Sequence, residues 1–354
     1  MSADGVILVT GGGGFVGSRF AEIIFLTRFA HARVGVKSWA GAARAARFGL
    51  DIVRCDVLAP RQVAEAMKGV KVVVHCAVGG RQVIVDGTRN VLEAAARAGV
   101  ARVIHLSTAE VYGPQVRGRI DETWPWTPTG SAYADAKIEA ERLAWEHSSR
   151  GLPVTVFRPS IVYGPWSEQW TAALAQRLQS GRWRHYARYG DGTCNLVYVD
   201  DLVAVALKSI HEDKAVGQAF NVGGPDFLTW NEYFEQFNAA MGLPPLEVRS
   251  APRAKVVSMM TEALSGAARV VLARHGEALM RIYERRGLAG AGMKRLKGWL
   301  NTNPSSTELE SLYSRNAIYD WSKAERLLGW RPAIDLDRGL RLSVAWLKYA
   351  GLLN

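Results

Sequence analysis

Residues 10–17 read TGGGGFVG and follow the apolar run VILV at 6–9. Few folds have a use for that much backbone freedom between an apolar strand and the helix that Phe15 opens. In such a turn the backbone N–H groups point at a ligand from the positive end of the helix dipole, which suits a pyrophosphate. Glycine is required where φ is positive, or where a side chain would block the anion or the helix–strand contact. Two frames fit: Gly12, Gly14 and Gly17 as G-x-G-x-x-G, or Gly11, Gly14 and Gly17 as G-x-x-G-x-x-G. No G-K-[ST] follows, which sets aside a nucleotide-triphosphate loop. Apolar β-branched runs recur at 34–36, 51–57, 71–78, 101–107 and 152–160, with helical stretches such as 86–98 and 132–149 between them. The alternation predicts β-α-β units, hence an α/β fold of Rossmann type with a doubly wound parallel sheet.

A Rossmann domain is expected over 1–160, with segments near 190–225 returning to it. A smaller C-terminal α/β region over 161–354, where Trp and Gly become frequent, is expected to bind substrate. Residues 253–305 stand apart as a basic helical insertion, 253–297 holding ten Lys/Arg against three Glu. Val256, Met260, Leu264, Ala268, Val271, Leu272, Leu279 and Ile282 fall near helical spacing there. Three readings stay open for this stretch: an apolar stripe packed on the body, a peripheral contact with an anionic membrane, and a lid or dimer contact.

No uninterrupted apolar run approaches the ~18–20 residues of a membrane span. The N-terminal residues show no signal peptide pattern. Cys55, Cys76 and Cys194 are scattered and form no C-x-x-C pair, so neither a disulfide framework nor a metal site is expected. A cytoplasmic protein fits, with membrane association through 253–297 left open. The formal net charge of +11 admits nucleic acid in principle. There is no zinc-finger spacing and no aromatic-rich RNA signature, so no nucleic acid is expected as a partner.

Further motifs follow the glycines in order: CDV at 55–57, HCAV at 75–78, STAEVYG at 107–113, YADAK at 133–137, FRPSIVYGP at 157–165, YVDDLV at 198–203, FNVGG at 220–224 and LLGWRP at 327–332. Together they resemble the extended branch of the short-chain dehydrogenase/reductase superfamily, rich in NAD-dependent nucleotide-sugar epimerases, dehydratases and reductases. The resemblance covers nearly the whole chain except 253–305, and it selects the frame Gly11, Gly14 and Gly17. It implies a cofactor site that also includes Phe15 and Val16 at the helix start. Asp56 would touch the adenine beside Val57, and Cys76, Ala77 and Val78 would line the strand end next to the cofactor. Ser107, Arg158 and Pro159 are assigned to the same site, Ser107 as support for the cofactor or its strand end. Thr108, Tyr133 and Lys137 are implied as the catalytic set, and a homodimer through the helix carrying Tyr133 is expected.

Tyr133 and Lys137, four apart, share one helix face. A phenol of pKa about 10 is a poor base at neutral pH. A nearby ammonium and an oxidised nicotinamide would lower that value. Thr108 would hold the substrate oxygen near Tyr133, and Glu110 is a further acid–base candidate. Dehydratase relatives carry an Asp-Glu pair after that Thr, whereas this chain has Ala109-Glu110, which ranks dehydration below epimerisation or reduction. Nothing between Glu22 and Asp51 is acidic, while Lys37, Arg44 and Arg47 are basic. With Ser38, these cations suit a 2′-phosphate and point to NADP, with NAD still open.

Nucleotide-sugar relatives usually carry Asn two residues after the Arg-Pro pair and an Arg before the YVDD element. This chain has Ser160-Ile161 and Asn195-Leu196 in those neighbourhoods. Thr108, Glu110, Ser160, Ile161 and Asn195 are the candidate substrate contacts. Arg182, Arg184 and Arg188 are an alternative source of phosphate contacts, and Trp166, Trp170 and Trp183 are candidates for stacking. Three functions remain open: an NAD(P)-dependent epimerase or reductase of a nucleotide-linked sugar, an NADP-dependent reductase or dehydrogenase of a hydrophobic or lipid-linked alcohol or ketone, and a non-catalytic cofactor-binding protein.

Overall fold

A computed structural model describes residues 5–264 and 303–353. Seven parallel strands form the central sheet: β1 (Val6–Thr10), β2 (His31–Val36), β3 (Asp51–Arg54), β4 (Val70–His75), β5 (Arg102–Leu106), β6 (Val154–Pro159) and β7 (Gln218–Val222). Their order is 3-2-1-4-5-6-7, so the winding direction reverses beside β1. The strands read as continuous apolar runs because both sheet faces are covered. Leu8, Val73, Val103, Val154 and Val156 pack on one side with α2 (Pro60–Ala66), α3 (Arg81–Ala98) and α4 (Ala132–Ser149). Ile7, Val9, Val74, Ile104, Phe157 and Phe220 pack on the other with α1 (Phe15–Leu26) and α5 (Val199–Ser209). A ligand crevice is expected outside the strands' carboxyl ends at the reversal.

Contacts divide the chain into two units. The first comprises the described residues of Met1–Ser167 with Asn195–Asp226 and Ile318–Asp335, and it contains the candidate cofactor, catalytic and substrate-contact residues, whereas Arg182, Arg184, Arg188, Trp170 and Trp183 belong to the second unit. The second comprises the described residues of Glu168–Cys194, Phe227–Ala317 and Leu336–Asn354. Its core is aromatic, with Trp183 meeting Tyr186, Phe234 and Tyr313 edge-on at ring separations of 5.3, 5.3 and 6.3 Å. Trp183 is fully buried there, which removes it from the stacking candidates.

Residues 251–264 are helical. The buried positions of this helix are Ala254, Ser258 and Thr261, whereas Val256, Met260 and Leu264 are exposed. The small residues, not the apolar stripe, therefore face the protein at this end of the insertion. The rest of the stripe, from Ala268 to Ile282, lies outside the described residues. Among the described residues, no helix is long and apolar enough to cross a membrane and no group of three or more His, Cys, Asp or Glu is placed to hold a metal ion.

Candidate active site

The glycines at the end of β1 are each constrained differently. Gly11 has φ +66°, and a Cβ there would lie 2.7 Å from the Ala77 backbone at the end of β4. A Cβ on Gly17 would collide with the Gly11 carbonyl, so this pair sets how closely α1 approaches β1. Gly12 and Gly13 are also closed to side chains, by Val34 and by the Gly41 carbonyl in the loop after β2. Gly14 is the N-cap of α1, offers no capping side chain, and has only the Gly11 carbonyl near a hypothetical Cβ, at 3.3 Å. The first turn of α1 contains no acid. These features fit a dinucleotide pyrophosphate: bare N–H groups at a helix N-terminus, with no side chain in the approach.

The catalytic candidates come from β5 and α4. Ser131 caps α4, and the Asp135 carboxylate accepts N–H bonds from Thr129 (2.8 Å) and Gly130 (3.0 Å), fixing the turn that delivers Tyr133. Thr108 follows β5; its hydroxyl accepts the Glu110 N–H at 3.2 Å and lies near enough to the Tyr133 phenol to favour its ionised form. Lys137 is 6% exposed and donates from Nζ to the Leu106 carbonyl at 2.7 Å. Burial pulls its pKa down to about 8, against the opposing pull of Cys76 and Glu141. Although Tyr133 is 41% exposed overall, desolvation of its phenol raises its pKa; the nearby Thr108 hydroxyl works against this and Glu110 reinforces it. The protein's own groups therefore raise the phenol pKa, so the expected lowering would have to come from a bound oxidised nicotinamide. Desolvation prevails, and the Lys137 ammonium is engaged by a backbone carbonyl.

Behind this set lies a buried network. Ser107 donates to Glu141 Oε2 at 2.5 Å, and the Arg158 guanidinium forks onto the same carboxylate, with Nε 3.0 Å from Oε1. Arg158 Nη1 also donates to the Tyr112 hydroxyl at 2.9 Å, which in turn donates to Asn221 Oδ1 at 2.6 Å. Glu141 is fully buried, so these bonds tie β5, β6, β7 and α4 together beside the catalytic residues. Ser107 and Arg158, assigned to the cofactor by resemblance, direct their polar atoms into this network.

A second chain of bonds closes the end of β4. Thr88 gives its hydroxyl proton to the Ile84 carbonyl, so His75 Nε2 donates to Thr88 at 2.9 Å and Nδ1 accepts from Thr10 at 2.7 Å. Burial, with Lys137 nearby, lowers the His75 pKa to about 3, which keeps the ring neutral. His105, 5.7 Å away between ring centroids, is buried and neither of its nitrogens has a partner among the described residues. The sequence places His75 in the HCAV strand end without giving it a role, and it singles out nothing at Glu141. Glu141's position one turn after Lys137 on the same helix face is the signal that could have pointed to it.

The remaining candidates are placed as follows. Phe15 and Val16 sit half-buried in the first turn of α1. Asp56 Oδ1 accepts the Leu58 N–H at 3.0 Å in the turn after β3, and Val57 is buried. Cys76 and Ala77 line the end of β4 beneath the glycine turn, where burial pushes the Cys76 thiol up, and Val78 is 61% exposed. Lys37 and Ser38 are exposed after β2, while Arg44 is bound to Glu22 through Nε (2.6 Å) and Nη2 (2.7 Å). Pro159 ends β6, and the hydroxyl of Ser160 is buried without a partner among the described residues. Ile161 is half-buried and donates its N–H to the Asn195 carbonyl at 3.0 Å. The Asn195 side chain accepts the Tyr319 N–H at 3.2 Å, which commits its oxygen to the backbone.

Residues 7–223 match the family model described as NAD dependent epimerase/dehydratase family. The chain belongs to this family. It is an extended short-chain dehydrogenase/reductase enzyme built on the Rossmann sheet described above. Among its family relatives is the 3beta-hydroxysteroid-dehydrogenase/decarboxylase isoform 1 of Arabidopsis thaliana, 26% identical over 95% of this chain and 78% of that protein. The 2-alkyl-3-oxoalkanoate reductase of Stenotrophomonas maltophilia is also 26% identical, over 95% of this chain and 97% of its own length. The solved structure of the dTDP-glucose 4,6-dehydratase DesIV from Streptomyces venezuelae, with NAD and TYD bound, shares the fold with a TM-score of 0.72 at 23% identity, covering 97% of each chain.

Proposed function

We propose that this family member is an NAD(P)-dependent oxidoreductase interconverting a secondary alcohol and a ketone on a largely apolar carbon skeleton. The observation that carries the reading is the grouping of Thr108 with Tyr133, close enough for the hydroxyl to influence the phenol's ionisation, and a buried Lys137 anchored on the Leu106 carbonyl. Hydride acceptance or donation at the substrate carbon is the chemistry a bound nicotinamide supplies, held by the turn at Gly11, Gly14 and Gly17. Thr108 orients the substrate oxygen by hydrogen bonding. Tyr133 removes the hydroxyl proton during oxidation and returns it during reduction. Lys137 brings a positive charge beneath the site from its anchor on Leu106.

The preference for an apolar substrate rests on three supports. Val78 is exposed at the carboxyl edge of the sheet, the side-chain oxygen of Asn195 is already engaged, and the relatives matched over nearly this whole chain include a steroid dehydrogenase and an alkyl-oxoalkanoate reductase. The unpartnered Ser160 hydroxyl and the likeness to a nucleotide-sugar dehydratase favour a second reading, epimerisation or reduction of a nucleotide-linked sugar. With Ala109 before Glu110, dehydration lacks its second acid. The test is oxidation of NADH and NADPH by the purified protein with a 3-ketosteroid, a 2-alkyl-3-oxoalkanoate or a 4-keto nucleotide sugar, alongside conversion of UDP-glucose. Turnover of the apolar ketones supports the first reading. Turnover of nucleotide sugars alone replaces it with the second. A homodimer through α4 and contact of 253–297 with an anionic bilayer belong to the same proposal, checked by light scattering and vesicle flotation.

A further inference from the structure

The loop after β2 carries the cations that the sequence offers to a 2′-phosphate, yet one of them is already taken from the α1 side. Glu22 lies on α1 and is 4% exposed. Its two oxygens receive Nε and Nη2 of Arg44 at 2.6 and 2.7 Å, the parallel two-bond geometry in which arginine grips a carboxylate. Arg19 Nη1 donates to the same carboxylate at 3.1 Å while its other nitrogens hold Asp200, and Arg47 approaches it at 3.4 Å. The third nitrogen of Arg44, Nη1, is buried with no partner among the described residues. The face of the guanidinium is covered by the Trp166 indole, 4.9 Å away. Trp166 takes that position with φ +73°, a backbone region that side chains other than glycine's rarely occupy. Arg44 is thus enclosed, its side chain 10% exposed, while Lys37 and Ser38 stay open to solvent.

We propose that Glu22 is a cofactor-specificity residue, which locks Arg44 against α1 and so withholds its guanidinium from the ribose 2′ position. A guanidinium has one set of paired donors, and a fork already on a carboxylate cannot also grip a phosphate. With Arg44 locked and Arg47 drawn toward the same carboxylate at 3.4 Å, the fully open donors for a 2′-phosphate are Lys37 and Ser38, and the chain takes a 2′-hydroxyl cofactor at least as well as a 2′-phosphorylated one. This reverses the preference for NADP drawn from the loop's cations, because a count of cations omits the acid on the neighbouring helix that holds one of them. The inference deepens the cofactor half of the proposed function and rests on it.

The test is isothermal titration of the full-length protein with ADP and with 2′,5′-ADP, which requires no turnover. In the wild type the two should bind within a fewfold of each other or with ADP ahead, and Arg44→Ala should leave their ratio within twofold. Glu22→Ala should tighten 2′,5′-ADP about tenfold relative to ADP, and adding Arg44→Ala should erase that gain. Circular dichroism confirms that each variant folds; if Glu22→Ala does not, the Arg44→Ala arm decides by itself. A wild-type preference for 2′,5′-ADP of tenfold or more that Arg44→Ala abolishes overturns the lock. So does an unchanged ratio in folded Glu22→Ala protein. Binding of neither nucleotide would instead bring down the cofactor reading on which the lock depends.

Discussion

Lys137 is a charged group held where charge is costly, and this has a measurable consequence for stability. Its folded-state pKa of about 8 lies below the ordinary lysine value, so between about pH 8 and 10.5 the unfolded chain holds a proton that the folded chain has released. Stability therefore rises with pH through that window. Linkage with these two values gives a cost of about 3 kcal/mol at pH 7 and about 2 kcal/mol at pH 9, where the ammonium is mostly neutral in the fold. Lys137→Met removes the titration and keeps an unbranched apolar stem of similar length. The variant should therefore exceed the wild type in stability by more at pH 7 than at pH 9, with the difference narrowing by about 1 kcal/mol. Urea unfolding of both proteins at the two pH values measures it, and titrating groups that do not interact with Lys137 cancel in the comparison. A difference that stays constant with pH would refute the reasoning, because Lys137 would then ionise in the fold as it does in water.

Two further outcomes follow from the buried polar groups. His105 has two buried nitrogens without partners among the described residues, so His105→Leu should raise stability by about 1–2 kcal/mol in thermal or urea unfolding. Glu141→Ala leaves the buried Arg158 guanidinium without its countercharge and should cost about 3–5 kcal/mol, whereas Glu141→Gln, whose side-chain oxygen can still accept from the guanidinium, should cost less.

Much of the fold is legible in the sequence for a physical reason. A parallel sheet covered on both faces needs continuous β-branched runs, and VILV, KVVVH and VTVF are visible without any partner information. The glycine turn and the Tyr133–Lys137 spacing are equally local, being set by one turn and one helix. Less visible is what each polar side chain spends its hydrogen bonds on. Arg44 reads as a free cation until Glu22, 22 positions earlier, is seen beneath it. Arg158 and Ser107 read as cofactor contacts until Glu141 is seen to take both. Trp183 reads as a stacking platform until the aromatic core around it is assembled. The helix at 251–264 presents its small residues to the protein, a choice that hydrophobic periodicity alone leaves open. Pairings over long sequence separations leave no local trace.

The central claim is that Tyr133 is the proton-transferring group of a hydride-transfer enzyme. The most direct measurement compares wild type and Tyr133→Phe for turnover of the nicotinamide cofactor with the best ketone from the substrate panel, alongside cofactor affinity by titration. Turnover should fall by about 10²–10⁴-fold in the variant, the usual contribution of a positioned acid–base group, with cofactor affinity unchanged. Turnover within a few fold of wild type would contradict the account and pass the role to another group, with Glu110 the first to be tested.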